Sequence, residues 1–111
     1  MAFITPKKLG QAAVGTGGGT LVYTAPTLIT TMVKCIDVCN TTGSPITISI
    51  HLVPAGGAAG TANALRYTYS VAANSAYQWT GTHVLNAGDF IQAIASGAGL
   101  TLTAAGGEYV S

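Results

Sequence analysis

Over residues 32–54 the chain reads MVKCIDVCNTTGSPITISIHLVP, and its apolar and polar positions alternate. Ile46, Ile48, Ile50 and Leu52 fall at every second residue, with Thr47, Ser49 and His51 between them, which is the period of a strand with one wet face. Upstream, Met32, Ile36 and Val38 share a parity, and Asn40-Thr41-Thr42-Gly43-Ser44 parts the two runs with turn-forming residues. The pattern predicts an antiparallel hairpin with Ile36 opposite Ile50 and Val38 opposite Ile48. One face of it carries the core. The other carries Cys35, Asp37, Cys39, Thr47, Ser49 and His51 toward water or a partner.

The same period recurs downstream. Leu65, Tyr67, Tyr69 and Val71 are predicted on one face of a strand, with Arg66, Thr68 and Ser70 on the other. Ala72-Ala73-Asn74-Ser75 turns the chain into a strand that presents Tyr77 and Trp79 on one side, where rings at this spacing fill a sandwich core. After Asn86-Ala87-Gly88-Asp89, residues 90–95 form another strand, then residues 100–103, and residues 108–110 a last short one. Upstream, Thr20-Leu21-Val22-Tyr23 is strand-like and is closed by Pro26, while residues 55–64, AGGAAGTANA, make an exposed loop too rich in glycine for a stable helix. No helical period occurs. Short strands with turn signals between them imply an all-β fold, a single antiparallel β-sandwich or jelly roll.

Residues 1–11 have an apolar start, a proline and two lysines without sustained period, and read as an extended N-terminal arm. Such an arm either lies along the domain's own edge or reaches a neighbour. With the glycine-rich loop that follows it forms residues 1–19, and the sandwich domain covers 20–111. The loop, Gly15-Thr16-Gly17-Gly18-Gly19, lacks the Gly-Lys-Ser/Thr ending of a phosphate cradle and runs into a strand, not a helix N-terminus.

Composition changes the picture in one respect. The hydrophobic fraction of 49% is ordinary, but only 6% of the 111 residues are charged, against about 25% in an average soluble domain. Threonine, serine, asparagine and glycine must keep the surface wet, and a weakly charged surface repels its own copies little. A net charge of +1 with four basic residues leaves no stripe to follow a phosphate backbone, so nucleic acid is not an expected partner. No apolar run reaches the roughly 18 residues of a membrane helix, so no membrane is expected either.

Candidate chemistry is sparse. Cys35, Asp37, Cys39 and His51 are metal-binding types on one predicted face, but Cys35 and Cys39 stand about 13 Å apart along a strand, too far to share one zinc ion or a disulfide. Three ligands from Cys35 or Cys39, Asp37 and His51 remain a geometric option against the plainer reading of His51 as a surface or interface residue. His83 lies near Asp89 across a turn, with no nucleophile placed by spacing. No catalytic residue, cofactor or metal is therefore assigned. Paired rings, Tyr77 with Trp79 or Tyr67 with Tyr69, would serve as a sugar platform if they faced solvent.

At Leu21-Val22-Tyr23-Thr24-Ala25-Pro26, at residues 33–41 (VKCIDVCNT), at residues 50–57 (IHLVPAGG) and at Leu85-Asn86-Ala87-Gly88-Asp89, the chain resembles small β-sandwich virion proteins of tailed bacteriophages, over roughly residues 20–110. The resemblance implies a non-enzymatic accessory component of the particle, a capsid decoration or cement subunit, assembled in the bacterial cytoplasm and located in the virion. The alternatives are a neck, tail or baseplate protein and a carbohydrate-binding host-attachment module. Partners would be further copies of itself and other virion proteins such as the major capsid protein. Candidate assembly contacts are Phe3, Ile4 and Leu9 of the arm and the Cys35, Asp37, Ser49 and His51 face.

Overall fold

The isoleucine ladder packs its apolar side inward in the computed structural model, which describes residues 5–16 and 19–110. Among the described residues eight strands form: β1 (Thr5–Val14), β2 (Thr20–Thr24), β3 (Ile29–Asn40), β4 (Ile46–Val53), β5 (Ala64–Val71), β6 (Ser75–Leu85), β7 (Phe90–Ala95) and β8 (Leu100–Val110). They make two antiparallel four-stranded sheets, ordered β1-β8-β3-β6 and β2-β7-β4-β5. The pairing is nested: β1 lies on β8, β2 on β7, β3 on β6 and β4 on β5, like one long hairpin rolled up. The additional β3–β8 and β4–β7 pairings complete the two sheets of a jelly roll. Ile36, Val38 and Leu102 from one sheet meet Ile48, Ile50 and Ile91 from the other, all essentially buried.

The predicted hairpin does not form. β3 and β4 belong to different sheets, and residues 41–45 carry the chain from one to the other. Ile36 pairs with Trp79 and Ala104, and Ile50 with Arg66 and Ala93, so the two runs meet across the core rather than side by side. Alternation states which face of a strand is apolar; it carries no information about the neighbouring strand. Asn40 fixes the crossing. Its amide donates to the Ser44 and Val71 carbonyls at 2.9 and 3.1 Å, and its Oδ1 accepts from the Thr42 amide and hydroxyl at 2.9 and 2.7 Å.

Within the described part of the expected arm, residues 5–11, the chain takes the first of the two alternatives. Residues 5–14 are an edge strand of the sandwich, and Leu9 and Val14 are buried. The segments at residues 100–103 and 108–110 are one strand, joined through Ala104-Ala105-Gly106-Gly107, whose small side chains hide the period. Irregularities line up across this sheet. The rung Lys8, Ala105, Cys35 and Thr80 is flanked by extra residues, Leu9 on β1, Lys34 on β3 and Gly81-Thr82 on β6, which bend the sheet in one line. At that line β3 crowds β8 so closely that a Cβ on Gly106 would stand 1.8 Å from the Met32 carbonyl oxygen.

Candidate functional site

The sequence candidates do not gather in one place. Phe3 and Ile4 lie outside the described residues. Leu9, expected as an attachment contact, is 8% exposed and belongs to the core, because the bulge at Leu9 turns it inward under its own sheet. Cys35 and Asp37 lie on the outer face of the β3 sheet, with Cys35 Sγ 3.7 Å from Asp37 Oδ2 and accepting from Gln78 Nε2 at 3.5 Å. Ser49 and His51 lie on the outer face of the other sheet, so the shared face of Cys35, Asp37, Ser49 and His51 does not exist. Among the described residues, no three His, Cys, Asp or Glu side chains come together in a metal-binding group.

Ser49 and His51 are buried by their own chain. Ser49 Oγ accepts from the Thr68 amide at 2.9 Å, at a break in β5 where Thr68 takes φ 46°. That break reverses the expected parity: Arg66 turns inward opposite Ile50, and Tyr67 turns outward to meet the His51 ring edge-on at 6.5 Å. The loop before β5 closes over the same imidazole. His51 Nδ1 lies 3.0 Å from both the Gly60 carbonyl and Asn63 Oδ1; both are acceptors, since Asn63 Nδ2 itself donates to the Ala58 carbonyl, so Nδ1 carries the proton. The histidine fastens a loop. His83 and Asp89 are likewise separate: Asp89 caps the turn amides of Asn86 and Ala55, while His83 stacks on Trp79.

Two arrangements went unforeseen. The first is a polar cluster between the sheets, where Tyr23 donates to Glu108 and accepts from the Thr31 hydroxyl at 2.7 Å, with Lys7 3.3 Å from Glu108 at the rim. Burial, reinforced by the Glu108 carboxylate, pushes the Tyr23 phenol from 10.0 up to about 12. The folded state therefore holds a proton that the unfolded chain releases near pH 10, and stability falls as pH rises from 10 to 12. The expected loss is up to about 2 to 3 kcal/mol. A Tyr23→Phe protein should lack this component, which melting curves of both proteins across that range would show.

The second is the side of the sandwich where the edge strands β5 and β6 meet. The opposite side is closed by backbone: Gly10 of β1 sits so near the Val22 carbonyl that a Cβ would lie 2.2 Å from its oxygen. Here side chains bridge the gap instead. Tyr69 packs on Tyr77 with ring centroids 4.4 Å apart, Arg66 Nε donates to the Tyr77 hydroxyl at 2.5 Å, and the Trp79 indole folds over Gly81 onto His83 at 5.1 Å. Tyr77 and Trp79 are half-buried against the core, consistent with their cross-strand partners Val38 and Ile36. Tyr67 and Tyr69 are exposed but point to opposite faces because of the Thr68 break, so they form no paired platform.

A shallow open depression of about 460 Å³ lies between Cys39, Asn40 and Thr41 on one side and Asn74, Ser75 and Ala76 on the other. It holds no acid, base or cation. No helix among the described residues is long and apolar enough to cross a membrane.

No protein-family model matches the chain, and no curated protein matches it. Among solved structures, a chain from the structure of infectious bursal disease virus, Gx strain, aligns with 98% of this chain at 11% identity and a TM-score of 0.48. The alignment takes in 32% of the viral chain, so this chain spans about a third of its length.

Proposed function

We propose that this protein is a non-enzymatic structural component of a bacteriophage virion, a decoration or cement subunit that binds the major capsid protein and further copies of itself. The strand order carries the reading. A nested eight-stranded jelly roll is an architecture used in viral capsid and lectin domains, where flat outer faces and sheet edges serve as contact surfaces. The likeness of residues 20–110 to small phage virion proteins points the same way. A slab of 48 × 25 × 18 Å with seven charged residues in the whole chain suits close repetition, since copies meet with little electrostatic cost. The mechanism is mechanical. Each interface of standard size, about 800 Å² per partner, adds association energy that opposes particle rupture.

The lectin-like alternative is the weaker one, since Tyr67 and Tyr69 point to opposite faces and Tyr77 and Trp79 are half-buried against the core. Cryo-imaging of particles with and without the protein tests the proposal. Density for the sandwich is expected on the capsid exterior, with earlier thermal rupture of particles lacking it. A soluble protein absent from purified virions overturns the reading.

A further inference from the structure

Of the four sheet edges, three are guarded against pairing. β1 carries Pro6, Lys7 and Lys8 and the bulge at Leu9; β2 has five residues and a register break at Val22; β5 carries Arg66, two register breaks and the left-handed Thr68. Such devices are how sheets avoid adding foreign strands. β6 is different. It is eleven residues long and has no Lys, Arg, Asp, Glu or Pro, and although Gly81-Thr82 breaks its register farther on, its first six residues, Ser75 to Thr80, pair with β3 from Asn40 to Cys35 without interruption. Its other side has no neighbouring strand among the described residues.

We propose that β6 pairs antiparallel with β6 of a second copy, about a twofold axis at Gln78, joining the two β1-β8-β3-β6 sheets into one of eight strands. The residue pattern suits this register. Tyr77 falls opposite the partner's Trp79, and Trp79 opposite the partner's Tyr77, on the core-facing side, so each half-buried ring gains an aromatic cross-strand neighbour. Gln78 meets its own copy on the outer side, and Ala76 falls opposite the partner's Thr80, with no charge set against a like charge. The row of Tyr69, Tyr77 and Trp79 that half-closes this side of the sandwich is then covered by its counterpart. This identifies the self-contact surface of the subunit proposed above and rests on that reading for its role, not for its geometry.

Mass in solution tests it. The unmodified protein at about 100 µM, well above a micromolar Kd, is expected to be dimeric. Gln78→Lys and Gln78→Glu proteins, with unchanged far-ultraviolet spectra, should each be monomeric because the substitution sets like charges face to face. Mixing the two should restore the dimer. Hydrogen exchange of the unmodified protein gives a second readout, with protection of residues 75–80 rising with concentration. A monomer at that concentration, or an oligomer indifferent to both substitutions with no change in β6 protection, overturns the proposal. Either result leaves the virion reading standing, which fails separately if the protein is missing from particles.

Discussion

Gly106→Ala is expected to lose at least about 4 kcal/mol of stability, lowering Tm by about 15 to 30 °C, a large share of the 5 to 15 kcal/mol typical of a domain. The added methyl would stand 1.8 Å from the Met32 oxygen, 2.9 Å from its carbonyl carbon and 3.2 Å from the Lys34 amide nitrogen. All three are backbone atoms held by pairing on both sides of β3, so no rotamer change relieves the overlap. Relief requires β3 and β8 to part along the line of bulges, and this is the centre of the sheet. Gly43→Ala is the control. A Cβ there meets nothing within 4 Å, and the change should be neutral or slightly stabilising through the unfolded chain. Thermal melts of the two proteins check both statements.

Asn40→Ala should cost about 2 to 4 kcal/mol, since it removes four hydrogen bonds from a side chain that is 1% exposed, including the buried one to the Val71 carbonyl. Asn40→Asp separates the donor and acceptor halves of that role. The carboxylate still accepts from Thr42 but sets negative charge against the Ser44 and Val71 carbonyls, which the native amide satisfies as a donor. Burial and those carbonyls raise its pKa when folded, so this variant should gain stability relative to the native protein as pH falls, when the protonated carboxyl can donate again. Urea titrations at pH 7 and pH 4 would reveal the reversal. Equal loss at both values would mean that Asn40 matters only for its bulk.

Much of the architecture was legible in local pattern. The alternation at residues 46–52, the turn residues at 40–44, 72–75 and 86–89 and the ring spacing at Tyr77 and Trp79 each correspond to a strand, a connection or a core-facing pair in the fold. The errors fall where the period is broken or silent. β1 was hidden because Pro6, Lys7 and Lys8 make a guarded edge look like a loose tail, and the bulge at Leu9 interrupts its parity. The middle of β8 was hidden because alanine and glycine carry no hydrophobic contrast. Tyr67 and Arg66 exchanged faces because one residue, Thr68, adopts a left-handed backbone that its own chemistry does not favour and that Ser49 holds in place.

The candidate site was lost for the same kind of reason. Cys35, Asp37, Ser49 and His51 share one face only if β3 and β4 are neighbours; with the strands in opposite sheets they lie on opposite surfaces of the slab. The Tyr23, Thr31 and Glu108 cluster joins residues up to 85 positions apart, a distance at which no local signal survives.

The residues alone determined that this chain is a stack of strands, which side of most strands is apolar, and that its surface is nearly uncharged, because these properties depend on neighbours one or two positions away. Which strand lies beside which, which edge stays open and which polar groups are shut inside were decided only by the tertiary structure. Those outcomes depend on hydrogen bonds and close contacts between residues far apart in the chain, whose free energy no local pattern contains.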